Sequence, residues 1–375
     1  MKRNGTTYRV IDTERHVIEP RDIWDKYLDK AAQKEVRWAA PEGLALEVAG
    51  KAMTDDAALL AAVAPGEAFA DARKAGFSTG ATLADMDREG VDVAVLFPTA
   101  GLYAIWGDHI AADLSSAICT AYNNWLADFC RRDPARLKGI ALVPLHDIPA
   151  AIAEAKRAIG TLGMAGILMR PNPLLKRQLN DQAYAPLYSA MEQLGKPVCV
   201  HSSPGSILPE IGVKDITGLE WPQGVKRFDG LFERTAISYP LEVMGALISL
   251  AGEAPMMAFP SLKTHFASAG AGWLFFWIER MDDEWFHRGN DAVTKLKPGH
   301  YFERQGLVAA RAHERMIPFL MGEFGENVAW GSAYPQPLMK GFPDELDALV
   351  GNARLSSEDK RRILWDNPSR TFGIG

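Results

Sequence analysis

The chain has 375 residues, 47% of them apolar and 23% charged, and a formal net charge of −6. That balance predicts a well-cored globular protein and excludes the basic footprint of a nucleic-acid binder or of a protein drawn to an acidic membrane surface. Cys119, Cys130 and Cys199 lie in apolar stretches without C-x-x-C spacing, which predicts buried thiols in a reducing compartment. No apolar leader follows Lys2-Arg3, and no run approaches the roughly 18 apolar residues of a membrane span, so the expected location is cytoplasmic.

In chain order, Tyr8 to Ile11 opens a β-strand that runs into Asp12-Thr13-Glu14-Arg15-His16, and Pro20 closes the loop behind it. A short helix over 22–28 follows. Residues 30–80 are Ala-rich and charged without a clear strand, and predict an excursion over one face of the fold. A helix around Leu83–Asp87 precedes the continuous apolar run Val91–Phe97, which suits a strand buried on both faces of a parallel sheet. Further alternation follows: helix 109–132, strand Gly139–Pro144, helix 149–161, strand Ala165–Met169, helix 183–195 stopped at Gly195, and strand Pro197–His201. This spacing predicts an α/β fold of parallel βαβ units closed into a single (β/α)8 TIM barrel spanning residues 1–375. A second excursion, 204–235, carries Trp221 and would lie over the barrel mouth with the first.

In such barrels the chemistry sits at the C-terminal ends of the strands. Glu14 and His16, two apart on strand one, would project together. His201 ends strand five and Arg170 ends strand four. A carboxylate and two imidazoles aimed at one mouth are a usual first shell for a divalent metal. Arg170, Trp106 and Trp221 are the expected substrate contacts, an arginine fork with aromatic walls for a sizeable apolar acid or acyl conjugate.

The ordered set Ile11-Asp12-x-Glu14-x-His16-x-x-Glu19-Pro20, Arg170-Pro171-Asn172-Pro173, Val198-x-x-His201, Gly270-Ala271-Gly272-Trp273 with Glu279-Arg280-Met281-Asp282, and Trp330-Gly331-Ser332-x-Tyr334-Pro335 resembles the metal-dependent amidohydrolase-related family. That family includes aminocarboxymuconate-semialdehyde decarboxylase and the resorcylate-type decarboxylases. The resemblance covers about residues 8–373. It implies a barrel with one or two divalent transition metal ions (Zn, Fe or Mn) at the mouth, ligated by Glu14, His16 and His201. Two positions depart from the pattern. Ser268 stands where a histidine or glutamate is usual on strand six, three residues after His265, and Ala333 replaces the strand-eight aspartate that ligates metal and handles the proton. Ser268 is therefore an expected substitute ligand. Glu19, His265 and Tyr239, the last where relatives often carry histidine, are the expected proton-handling groups.

With the strand-eight carboxylate gone, hydrolysis of an ester, thioester or amide by metal-activated water is the favoured expectation, since a Lewis-acid role survives that loss. The alternatives are metal-dependent decarboxylation of an aromatic or unsaturated acid, and a barrel that binds without catalysing. The apolar opening Gly272–Ile278 of a later helix, together with the resemblance, predicts a homodimer.

Overall fold

Eight strands run parallel, each beside the next in chain order: β1 Ile11–His16, β2 Val93–Phe97, β3 Leu137–Ala141, β4 Gly166–Met169, β5 Val198–His201, β6 Thr264–Ala267, β7 Gly306–Ala310 and β8 Val328–Trp330. The protein is described by a computed structural model over residues 2–3, 6–40, 43–53, 63, 66–202, 231–289, 291–336 and 341–375. The sheet closes on itself where the chain leaves β8. Thr13 Oγ1 donates to Trp330 O at 2.7 Å, Ala333 N to Glu14 O at 2.8 Å, and His16 N to Tyr334 O at 2.7 Å. The fold is the expected (β/α)8 barrel.

Runs such as Val93-Ala94-Val95-Leu96-Phe97 are buried at every position because helices cover their outer faces and side chains fill the lumen. The intervening helices are locally encoded. Asp147 caps Ile148–Gly160 by accepting from Ala150 N at 3.0 Å, and Gly195, at φ 65°, ends Ala185–Leu194 in the left-handed conformation. Among the described residues no helix is long and apolar enough to cross a membrane, and all three cysteines are buried free thiols.

Two features differ from the sequence expectation or extend it. Within residues 30–80, Val36–Trp38, Leu46–Val48 and Lys51–Ala52 form a small antiparallel sheet. Its strands are two or three residues long, too short for alternation to declare itself. β1 is the exception among the barrel strands: Ile-Asp-Thr-Glu-Arg-His is buried throughout although five of its six residues are polar or charged. Its pairing with β2 shifts register between Asp12 and Arg15. Buried polar groups in that number are sustained only by partners, which makes β1 the strand to follow to the site.

Candidate metal centre

Alternation along β1 sends Glu14 and His16 to one side and Arg15 to the other, where Arg15 Nη1 lies 2.6 Å from Glu89 Oε2. His201, at the C-terminal end of β5, meets the first pair from across the lumen. Its Nε2 is 3.2 Å from His16 Nε2 and 3.9 Å from Glu14 Oε1. One ligand atom from each of the three buried residues falls within 4.8 Å of the others. The ring of Phe97, at the end of β2, sits 6.2 Å from His16 and 5.5 Å from His201 and walls the cluster.

Two of the three side chains are oriented from behind. His16 Nδ1 is 2.8 Å from Pro98 O. A carbonyl only accepts, so Nδ1 carries the proton and Nε2 presents a lone pair to the cluster. Glu14 Oε1 accepts from Arg311 Nη2 at 2.6 Å and Oε2 from Ser268 N at 3.0 Å. His201 Nδ1 has no hydrogen-bond partner among the described residues. Burial, then the neighbouring His201, pushes His16 down to about 3, and burial with the Arg311 charge takes His201 to about 3. Both rings are therefore neutral at ordinary pH, the form that binds metal. Facing imidazole nitrogens beside a carboxylate are a donor set that fits a divalent ion.

Arg311 is the residue that sequence reading missed. It follows β7 directly, is 6% exposed, and donates through Nη1 to Gly331 O at 2.8 Å as well as to Glu14. Its signal was available: it is the first polar residue after the apolar run Leu307–Ala310, at a strand end of the same kind that singles out Arg170. Glu345 lies behind it, buried, 3.8 Å from His313 Nδ1 and with neither carboxylate oxygen hydrogen-bonded among the described residues. Burial pushes its acid up to about 8.

The other expected site residues divide by what holds them. Ser268 follows β6 at φ 78° and reaches Glu14 through its backbone amide. Ala333, at φ 57°, bonds to β1 through its backbone N–H. His265 is fully buried, its Nε2 3.1 Å from Thr13 O and its ring 5.2 Å from Phe372. Burial takes it down to about 4. Glu19 is buried with both oxygens engaged, accepting from Thr99 N, Ala100 N and Gly101 N at 3.0, 2.9 and 2.9 Å. Arg170 is buried and donates to the carbonyls of Asn172, at 2.9 Å, and Trp106, so its guanidinium fixes the loop after β2, where Trp106 is buried. Tyr239 lies half-buried in the helix Leu231–Leu247. Trp221 lies outside the described residues.

A family model described as amidohydrolase matches residues 11–374. The 2-amino-3-carboxymuconate-6-semialdehyde decarboxylase of Dictyostelium discoideum is 24% identical over 295 residues, 77% of this chain and 75% of that protein. Among solved structures, an amidohydrolase from Mycobacterium avium subsp. paratuberculosis superposes with a TM-score of 0.77 at 18% identity, covering 99% of each chain. The 5-carboxyvanillate decarboxylase of Novosphingobium aromaticivorans, solved with manganese and 4-hydroxy-3-methoxy-5-nitrobenzoic acid, gives 0.68 at 21% identity over 98% of this chain and 96% of its own. These likenesses show a shared barrel.

Proposed function

Because the chain belongs to the amidohydrolase family, we propose that it is a metal-dependent decarboxylase of an aromatic or unsaturated carboxylic acid, with Glu14, His16 and His201 as ligands of one divalent ion. The expectation of acyl hydrolysis rests on Ala333 alone. The named activities of the similar proteins favour the decarboxylation alternative, and the manganese in one of them supports the choice of metal class. The observation that carries the reading is the buried Glu14, His16 and His201 cluster at two strand ends.

When bound, the ion would supply a Lewis acid that draws the substrate carboxylate and a neighbouring oxygen to the mouth. The chain does the rest. Pro98 O fixes the His16 tautomer, Arg311 and Ser268 N aim the Glu14 carboxylate, and the Phe97 ring packs beside both imidazoles. Arg170 acts at one remove, since it holds Trp106 in place through the loop backbone. Decarboxylation releases CO2 and leaves a carbon that takes a proton. Tyr239, on the helix Leu231–Leu247 that follows β5 and at a position where relatives often carry histidine, is the proposed donor, and its phenol would regain the proton from solvent. Purified protein loaded with Mn²⁺ and offered hydroxybenzoates and dienoic acids is expected to release CO2, and Tyr239→Phe to lower kcat with little change in KM. Turnover of thioesters or esters with no CO2 from any acid would return the assignment to hydrolysis.

A further inference from the structure

Glu19 is 2% exposed, and its carboxylate sits in a cradle of three consecutive backbone N–H groups. Oε1 accepts from Thr99 N at 3.0 Å and Gly101 N at 2.9 Å, and Oε2 from Ala100 N at 2.9 Å. A methyl group on Gly101 would lie 2.9 Å from Glu19 Oε1 and 3.0 Å from Pro98 Cβ, so the loop closes around the carboxylate as tightly as a glycine allows. Burial raises the acid of Glu19, and the N–H groups oppose that rise. Three donors aimed at two oxygens suit the ionised form, which only accepts. A neutral acceptor would satisfy the loop amides equally well, whereas a buried charge carries a desolvation cost. Its position supplies the reason for it. Pro98–Thr99 is a trans peptide, whose N–H and C=O point opposite ways. The N–H donates to Glu19, and the C=O accepts from His16 Nδ1 at 2.8 Å. Carboxylate, peptide and imidazole therefore form one hydrogen-bonded line that ends at the lone pair of His16 Nε2.

We propose that Glu19 is a positioning residue that acts on His16 through the Pro98–Thr99 peptide, fixing the ring's tautomer and raising the donor strength of Nε2. Negative charge at the N–H end polarises the peptide and makes its oxygen a stronger acceptor. A stronger acceptor on Nδ1–H makes Nε2 more basic, which is the work of a carboxylate placed directly behind a metal-binding histidine. Here the backbone stands between the two. His201 supplies the contrast, since its Nδ1 has no hydrogen-bond partner among the described residues. The consequence for metal affinity rests on the metal reading above; the action on the His16 ring is present without an ion.

The test reads the ring signals of the full chain labelled with ¹⁵N-histidine by magnetic resonance, metal-free, and then the Kd for Mn²⁺ from the free-ion signal in electron paramagnetic resonance. His16 is one of eight histidines, and its signals are identified by their loss in His16→Ala. In the metal-free wild type His16 is expected as the Nδ1–H tautomer with a downfield, slowly exchanging proton. An Nε2–H tautomer overturns the inference without any variant. Glu19→Gln keeps the shape of the side chain and removes its charge. That proton should then move upfield and exchange faster, while the rings of His201 and His265 keep their signals. Mn²⁺ binding should weaken about 10- to 100-fold, the usual effect of losing the partner behind a metal-binding histidine. A folded Glu19→Gln whose His16 proton and Mn²⁺ Kd match the wild type overturns the inference. So does equal displacement of all three rings, which would mark Glu19 as a loop support alone. Should Glu19→Gln leave too little folded protein, Glu19→Asp draws the charge back from the N–H groups and is expected to show the same changes, smaller. Failure of the wild type to bind Mn²⁺ overturns the metal reading, and the metal-free ring signals then uphold or overturn the action of Glu19 on His16 by themselves.

Discussion

Glu14 is held at both carboxylate oxygens before any ligand arrives, by Arg311 on one and Ser268 N on the other. That makes the pair interdependent. Glu14→Gln leaves a buried guanidinium without its counter-charge, and a loss of about 3–5 kcal/mol of stability is expected in urea unfolding. A change below about 1 kcal/mol would mean that Arg311 finds another partner. A second expectation at this scale concerns pH. His16, His201 and His265 are held at about 3, 3 and 4 in the folded chain, against 6.5 ordinarily. Between those values the unfolded chain binds more protons, so stability rises with pH from about 3 to 6.5 and is lost on acidification. Glu345 runs the other way. Its acid is raised from 4.5 to about 8, so the stability tied to its neutral form is present below 4.5 and drains as pH climbs through 8. Glu345→Gln should remove that alkaline slope in melting curves recorded from pH 5 to 9. An unchanged slope would show that Glu345 is ionised in the folded chain. Glu14, His16 and His201 were legible from strand alternation and strand ends alone. That Ser268 acts by its backbone amide was not, since a positive φ leaves no mark in a serine.

The element that makes the site is the turn from β8 back across β1. A methyl group on Gly331 would lie 2.8 Å from Glu14 Cβ and 3.2 Å from Ala309 Cβ, so no larger residue lets β8 pass this close to Glu14. Gly331→Ala is expected to weaken Mn²⁺ binding and to destabilise the fold by about 1–3 kcal/mol through overpacking, measured by titration and by denaturant midpoint. Wild-type metal affinity in that variant would show that Glu14 is not positioned by this contact. The loop after β2 is a second composed element. Glu19 satisfies three successive N–H groups at its start, and Arg170 and His146 take the carbonyls of Trp106 and Gly107. Sequence reading placed Glu19 and Arg170 at the mouth but could not assign them to loop backbone, because that depends on where the loop folds back. The strand-helix alternation was readable because buried parallel strands are continuous apolar runs. The sheet over Val36–Ala52 escaped because its strands are only two or three residues long.

For the whole molecule, the family's barrel accounts for the eight strands and for the convergence of residues 14, 16, 201 and 311, which lie up to 297 positions apart in the chain. No local pattern links Arg311 to Glu14; only barrel closure does. Its surface carries one further expectation. Phe276 and Phe286, on the helix Leu274–Arg288, are 61% and 76% exposed, and the homodimer expected from the sequence would cover them if it packs on this helix. Phe276→Lys should shift the mass read by light scattering from dimer towards monomer. A wild-type chain that runs as a monomer at all concentrations would refute the dimer.

In the proposed enzyme Glu14, His16 and His201 hold one catalytic divalent ion. The most direct test is the metal content of the Mn²⁺-loaded chain beside His16→Ala and His201→Ala, measured by elemental analysis in the presence of 2-hydroxybenzoate. About one ion per chain is expected in the wild type, and its loss in both variants. Equal metal content in all three, or none in the wild type, would contradict it.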